Sequence, residues 1–235
     1  MHLAIFDVDG TLVRSAKDED RLFWRALAEV LELDEESSDW TTFTHVTDTG
    51  IVDEVHRRQR GAPAPREALA RTERHFAALW RERLSTVAAE DFEVRGAARC
   101  IEWLRGLPDW RVAIATGGWR ASAFEKLTAA GVRTDDLSFG AANDALARED
   151  ILEIARQRAC MAGDGATFER TVYVGDGVWD ARACAALGLP MVGVAVDAAA
   201  RARLESHGVA PVLQDLADPG AVLEALLEAS VPTPE

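Results

Sequence analysis

Two apolar patterns alternate along the chain. Residues 3–8 are apolar apart from Asp7, the pattern of a strand buried on both faces, and stop at a Gly-containing turn. Similar short runs recur at residues 111–116, 171–175 and 190–194, each followed by a helical pattern. Helices are expected over 121–130 and 178–187, because Gly131 and Gly188 stand where a helix end favours glycine. Strands alternating with helices at this spacing predict parallel β-α units with right-handed crossovers, an open doubly wound α/β sheet. Such sheets bind ligands outside the carboxyl ends of their strands.

Residues 15–89 break this rhythm. They carry no strand-like run but show amphipathic segments at 20–33, 50–60 and 66–84, the last two separated by Gly61, Pro63 and Pro65. We read a helical insert after the first strand, leaving 1–14 and 90–235 as the core. Its charged faces fit solvated helix surfaces better than a partner site.

Composition narrows the function classes. Forty acidic residues against 26 basic ones give a formal net charge of −14, which disfavours nucleic acid polymers and anionic membrane surfaces as partners. No apolar run approaches a membrane span, and none at the start resembles a signal segment, so a cytoplasmic protein, monomer or homodimer, is expected. Cys100, Cys160 and Cys184 are widely spaced in apolar helical patterns and read as reduced thiols.

Polar residues gather at the ends of the predicted strands: Asp7 and Asp9 after the first, Thr116 after the second, Asp176 and Asp180 after a later one. Parallel strands end on one edge, so these side chains converge. Four carboxylates in one cleft repel unless a cation sits among them, and a hard divalent ion with oxygen ligands, Mg²⁺, answers that need. Each position also has a plainer reading, since an Asp after a strand is often a helix N-cap and a lone Thr often a turn residue. The ordered set, D-x-D-G-T, a strand-terminal Thr, then G-D-x-x-x-D, is what sets the chain apart.

With "DVDGT", "IATGG" and "GDGVWD" the chain resembles the haloacid dehalogenase-like hydrolases over nearly its whole length. The resemblance implies a Rossmann-like core with an α-helical cap at 15–89. It makes Asp7 the nucleophile that forms an aspartyl-phosphate, and Asp9 the acid/base for the leaving oxygen and then for water. Asp7, Asp9 (through its backbone carbonyl), Asp176 and Asp180 become the Mg²⁺ site, and Thr116, Gly117 and Gly118 the phosphoryl-binding turn. The family's third motif normally supplies a Lys. None lies between Lys126 and the chain end, so Arg148 is the candidate replacement, against the plainer reading of a solvated helix-start arginine.

The resemblance points to a Mg²⁺-dependent phosphatase for a small phosphorylated metabolite of sugar phosphate, phosphoglycolate or nucleotide type. Asp9 disfavours the family's dehalogenases, whose halide needs no protonation, and Lys17 is poorly placed for a phosphonatase. A phosphosugar mutase shares the same core residues. A receiver-like phospho-acceptor domain also gathers aspartates, a Thr and a Lys, although D-x-D and the insert argue against it. In the insert, His45 and the Thr47-Asp48-Thr49 turn are candidate substrate contacts, with capping the plainer role for Asp48 or Thr49. Trp119 and Arg120 follow the phosphoryl-binding turn and are candidates to line the pocket, as is Trp179.

Overall fold

The computed structural model describes residues 1–36, 39–163, 165 and 167–233. Its strands are β1 (His2–Phe6), β2 (Trp110–Ala115), β3 (Ser138–Gly140), β4 (Arg170–Gly175), β5 (Met191–Val194) and β6 (Val212–Leu213). The helices are α1 (Ala16–Leu31), α2 (Asp48–Arg60), α3 (Arg66–Leu84), α4 (Ala89–Phe92), α5 (Ala97–Arg105), α6 (Arg120–Ala129), α7 (Arg148–Ala162), α8 (Val178–Leu187), α9 (Ala198–Ser206) and α10 (Pro219–Glu228). The strands form one sheet in the order β3-β2-β1-β4-β5-β6, every neighbouring pair parallel. A receiver domain has the order 2-1-3-4-5, so that alternative is set aside.

β1 is apolar throughout its buried length because it is central. Leu3 and Ile5 point to one face and join Ile151, Leu152 and Ala155 of α7. Ala4 and Phe6 point to the other and join Leu104 of α5 and Leu127 of α6. β3 and β6 were not expected from the sequence. At three and two residues they are too short to carry an alternation, and pairing with β2 and β5 makes them strands.

The insert is fastened to the core by aromatic side chains. Phe23 of α1 and Phe76 of α3 meet edge-on at 5.8 Å, and Phe76 meets Trp119, just ahead of α6, at 5.9 Å. Such pairs contribute about 0.5–1.5 kcal/mol each beyond the area they bury. Phe23, Val52, Phe76 and Trp80 therefore belong to one continuous apolar cluster with Phe6 and Val174. α1 begins at Ala16, ahead of the expected residue 20, because residues 16–19 are polar or small and carry no apolar stripe.

Register positions the chemistry. Phe6 pairs with Ile114 on one side and Val174 on the other. The next residues on the three strands are Asp7, Ala115 and Gly175, and Thr116 and Asp176 follow directly. The strand order reverses between β1 and β4, so Asp7 and Asp176 stand at the switch point where such a sheet opens a crevice.

Candidate active site

A cleft of about 290 Å³ opens above this edge, and Asp7, Asp9, Thr116, Gly118, Arg148 and Asp176 are among its lining residues. Asp7 is 3% exposed, and its Oδ1 has no hydrogen-bond partner. One carboxylate oxygen each from Asp7, Asp176 and Asp180 lies within 4.8 Å of the others, an all-oxygen donor set suited to a hard divalent ion. Without a cation the crowding is costly. Burial first, then Asp180, pushes the Asp7 carboxyl up to about 8, and burial with Asp7 raises Asp176 well above the carboxylate range.

Two glycines make the approach possible. Gly10 sits at φ +80°, and a Cβ there would stand 2.0 Å from Asp176 Oδ2. At Gly117 a Cβ would stand 2.2 Å from Arg148 Nη2, so a side chain would displace the guanidinium.

Arg148 is the first residue of α7, where the helix dipole disfavours a cation. Carboxylates hold it there: Nη1 donates to Asp180 Oδ1 at 2.8 Å and lies 3.6 Å from Asp7 Oδ1, while Nη2 donates to the Val46 carbonyl at 3.1 Å. Burial acts to lower its pKa, but Asp180 and Asp7 outweigh burial and raise it. Asp180 is fully buried and also accepts from the Tyr173 hydroxyl (3.2 Å) and the Gly177 amide (3.0 Å). Thr116 Oγ1 accepts from the Gly118 amide at 3.1 Å, which closes the turn between β2 and α6.

Asp9 stands apart from the triad. Its Oδ1 accepts from Lys126 Nζ at 2.6 Å, and its Oδ2 faces the turn, 3.4 Å from where a Cβ on Gly118 would be. Lys126, fully buried on α6, also donates to Glu19 Oε2 of α1 at 2.7 Å and lies 4.8 Å from the centre of the Trp80 ring. Burial acts to lower its pKa, but Asp9 and Glu19 raise it, so it stays a cation. Burial followed by Asp9 raises Glu19.

Sequence reasoning assigned no role to Lys126 or Glu19, though one signal was available. Ala123, Lys126, Leu127 and Ala130 share the i, i+3, i+4, i+7 stripe of a buried helix face, and a lysine in such a stripe needs a carboxylate partner.

Several insert residues sit differently from expectation. Thr47 is the N-cap of α2, accepting from the Gly50 amide at 3.1 Å, which frees Asp48 to face the cleft. Asp48 Oδ2 accepts from the Trp119 amide at 2.7 Å, and its own amide donates to the Gly117 carbonyl at 2.8 Å. Burial pushes the Asp48 carboxyl up to about 7, with Lys126 acting against it. Thr49 does not cap either: its hydroxyl donates to the Ala142 carbonyl and accepts from Trp119 Nε1. His45 and Trp119 are absent from the described lining. His45 packs against Gly50, and Trp119 is buried with Phe23 and Phe76 because its ring turns into the apolar layer between insert and core. Arg120 also turns away, donating to Asp144 at 2.7 Å, whereas Trp179 does line the cleft.

Similar solved structures share this architecture. A hydrolase from Pseudomonas syringae is 22% identical, with TM-score 0.68 over 95% of this chain and 98% of that one. CbbY from Rhodobacter sphaeroides in complex with phosphate is 22% identical, with TM-score 0.65 over 93% and 96%. β-Phosphoglucomutase from Clostridium difficile is 13% identical, with TM-score 0.64 over 96% and 97%. At these identities the likeness is one of fold. No curated protein gives a significant match. The family model for haloacid dehalogenase-like hydrolases matches residues 1–188, and the chain belongs to that family.

Proposed function

We propose that the protein is a Mg²⁺-dependent phosphatase that hydrolyses a small phosphorylated metabolite through an aspartyl-phosphate on Asp7, beneath a cap formed by residues 15–89. The observation that carries this reading is a buried Asp7 oxygen with no hydrogen-bond partner at the cleft, together with a separate carboxylate, Asp9, whose Oδ1 is held by Lys126 while its Oδ2 faces the Thr116–Gly118 turn. A dehalogenase needs no such second carboxylate.

Asp7, Asp176 and Asp180 would hold Mg²⁺, with the backbone carbonyl of Asp9 as a further donor; when bound, the ion supplies positive charge against the phosphoryl oxygens. Asp7 attacks phosphorus in line, and the bond from phosphorus to the leaving oxygen breaks as Asp9 passes its proton to that oxygen. Asp9, now ionised, takes a proton from water, which attacks the aspartyl-phosphate and releases phosphate and free Asp7. Thr116 and the Gly117 amide bind the nonbridging oxygens, and Arg148 adds charge beside Asp7. Lys126 keeps Asp9 Oδ1 occupied, which leaves Oδ2 for the leaving group.

The test is release of phosphate from p-nitrophenyl phosphate with added Mg²⁺. Wild type is expected to turn over and Asp7→Asn to be inactive with an unchanged circular dichroism spectrum; activity retained in Asp7→Asn would sink the nucleophile assignment. A phosphosugar mutase would instead return the phosphoryl group to a sugar and release little phosphate.

A further inference from the structure

Four successive amides follow the end of β2, and three of them have partners. The Thr116 amide donates to the Gly140 carbonyl at 3.1 Å, and the Gly118 amide donates to Thr116 Oγ1. The Trp119 amide donates to Asp48 Oδ2 at 2.7 Å, a bond from the core to the insert. Among the described residues the Gly117 amide has no partner, and Gly117 lines the cleft. The insert also grips this turn through its backbone. The Asp48 amide donates to the Gly117 carbonyl at 2.8 Å, and a Cβ on Gly117 would stand 2.9 Å from the Val46 carbonyl.

Resting on the phosphatase reading above, we infer that Asp48 is a positioning residue for the reaction. From the insert it fixes the phosphoryl-binding turn of the core, so that the Gly117 amide, and not the amide at the start of α6, receives the phosphoryl oxygen. Two successive glycines leave this turn unusually free, so its shape has to be imposed by bonds from outside. The peptide joining Gly117 to Gly118 is held at both ends, its carbonyl by the Asp48 amide and its N–H by Thr116 Oγ1. A helix start also offers its free amides to any anion. Trp119 is the N-cap of α6, and Asp48 already takes its amide in a charge-assisted bond. Asp48 is itself fixed. It is the buried first residue of α2, and Thr47 ahead of it donates to the Leu146 carbonyl at 2.8 Å. Val46, in the same segment, accepts from Arg148 Nη2, so one stretch of the insert orders both groups that meet the phosphoryl oxygens. Donors held in place beforehand act most strongly where charge develops, in the transition state.

Three variants separate positioning from charge and from docking of the insert. In hydrolysis of p-nitrophenyl phosphate with saturating Mg²⁺, Asp48→Ala is expected to lower kcat/KM at least about tenfold, with most of the loss in kcat. Asp48→Asn keeps a side-chain acceptor for the Trp119 amide and is expected to recover most of that loss. Thr49→Val removes two other bonds between insert and core, to the Ala142 carbonyl and from Trp119 Nε1, and is expected to lose stability with a much smaller change in kcat. Rates are taken per folded molecule, from the thermal melt of each variant. With wild type active, this inference alone is overturned by Asp48→Ala within about threefold of wild type, by Asp48→Asn no faster than Asp48→Ala, or by an equal kcat loss in Thr49→Val. If Asp48→Ala does not fold, the wild-type chain decides: when inorganic phosphate is added with Mg²⁺, the Gly117 amide resonance is expected to shift more than that of Trp119, and the reverse order would overturn the inference. No hydrolysis by wild type would overturn the phosphatase reading and this inference with it.

Discussion

Replacing Lys126 by Met isolates the role of one buried charge. The substitution keeps a long apolar stem against Trp80 and Phe76 but leaves Asp9 and Glu19 facing each other without their shared ammonium. Lys126 is fully buried, whereas the Asp9 and Glu19 side chains keep 24% and 18% exposure. Breaking a buried ion pair by removing one partner costs about 3–5 kcal/mol, and the residual solvation of both carboxylates points to the lower end, about 3 kcal/mol. For a chain of this size that lowers Tm by roughly 6–12 °C. Burial and Asp9 already raise the Glu19 pKa, so protonation relieves the variant, and its deficit should narrow as pH falls. Adding Glu19→Gln to Lys126→Met should restore more than half of the lost stability. Urea unfolding at pH 7 and near pH 5, for wild type and the single and double variants, measures all three effects. A Lys126→Met protein within about 0.5 kcal/mol of wild type, or a double variant no more stable than the single, would refute the reasoning.

Arg148→Ala should lower kcat/KM by at least about tenfold, or 1.4 kcal/mol of barrier, in a steady-state assay with p-nitrophenyl phosphate. Its stability should depend more on added Mg²⁺ than that of wild type, since Asp7 and Asp180 lose their only protein cation among the described residues; thermal melts with and without Mg²⁺ measure this. Asp48→Asn should gain stability over wild type as pH rises. Burial lifts the folded pKa to about 7 from an ordinary value near 3.8, so the native state binds the extra proton and the fold loses stability as pH climbs through that window. The neutral amide escapes the loss, a difference on the order of 2–4 kcal/mol between pH 4 and pH 8, measurable by chemical denaturation.

The fold was legible because its signals are local. An apolar run long enough for a strand, followed by an amphipathic run ending at Gly131 or Gly188, prescribes a β-α unit, and repeating the unit prescribes a parallel sheet. α3 spans residues 66–84 as its periodicity predicts, with Pro65 ahead of its first turn. The short edge strands β3 and β6 escaped because they exist only through their neighbours. Within the site, a residue at a strand end can be placed from sequence, because register with a parallel neighbour carries it to the shared edge. Asp7, Thr116 and Asp176 are of that kind. Trp119 and His45 are not: which way each turns depends on what packs against it from the insert.

What the sequence determined by itself is the α/β architecture and the edge at which its acidic residues meet, since apolar periodicity and turn chemistry act over a few residues at a time. What only the tertiary structure decided is the insert's contribution to the cleft. Lys126 reaches Asp9 across 117 positions and Glu19 across 107, and Asp48 reaches Trp119 across 71. No local spacing encodes such pairings. They arise when aromatic packing of α1 and α3 against α6 and Trp119 fixes how the insert lies on the core, and buried charges must then find partners among the groups that packing brings near.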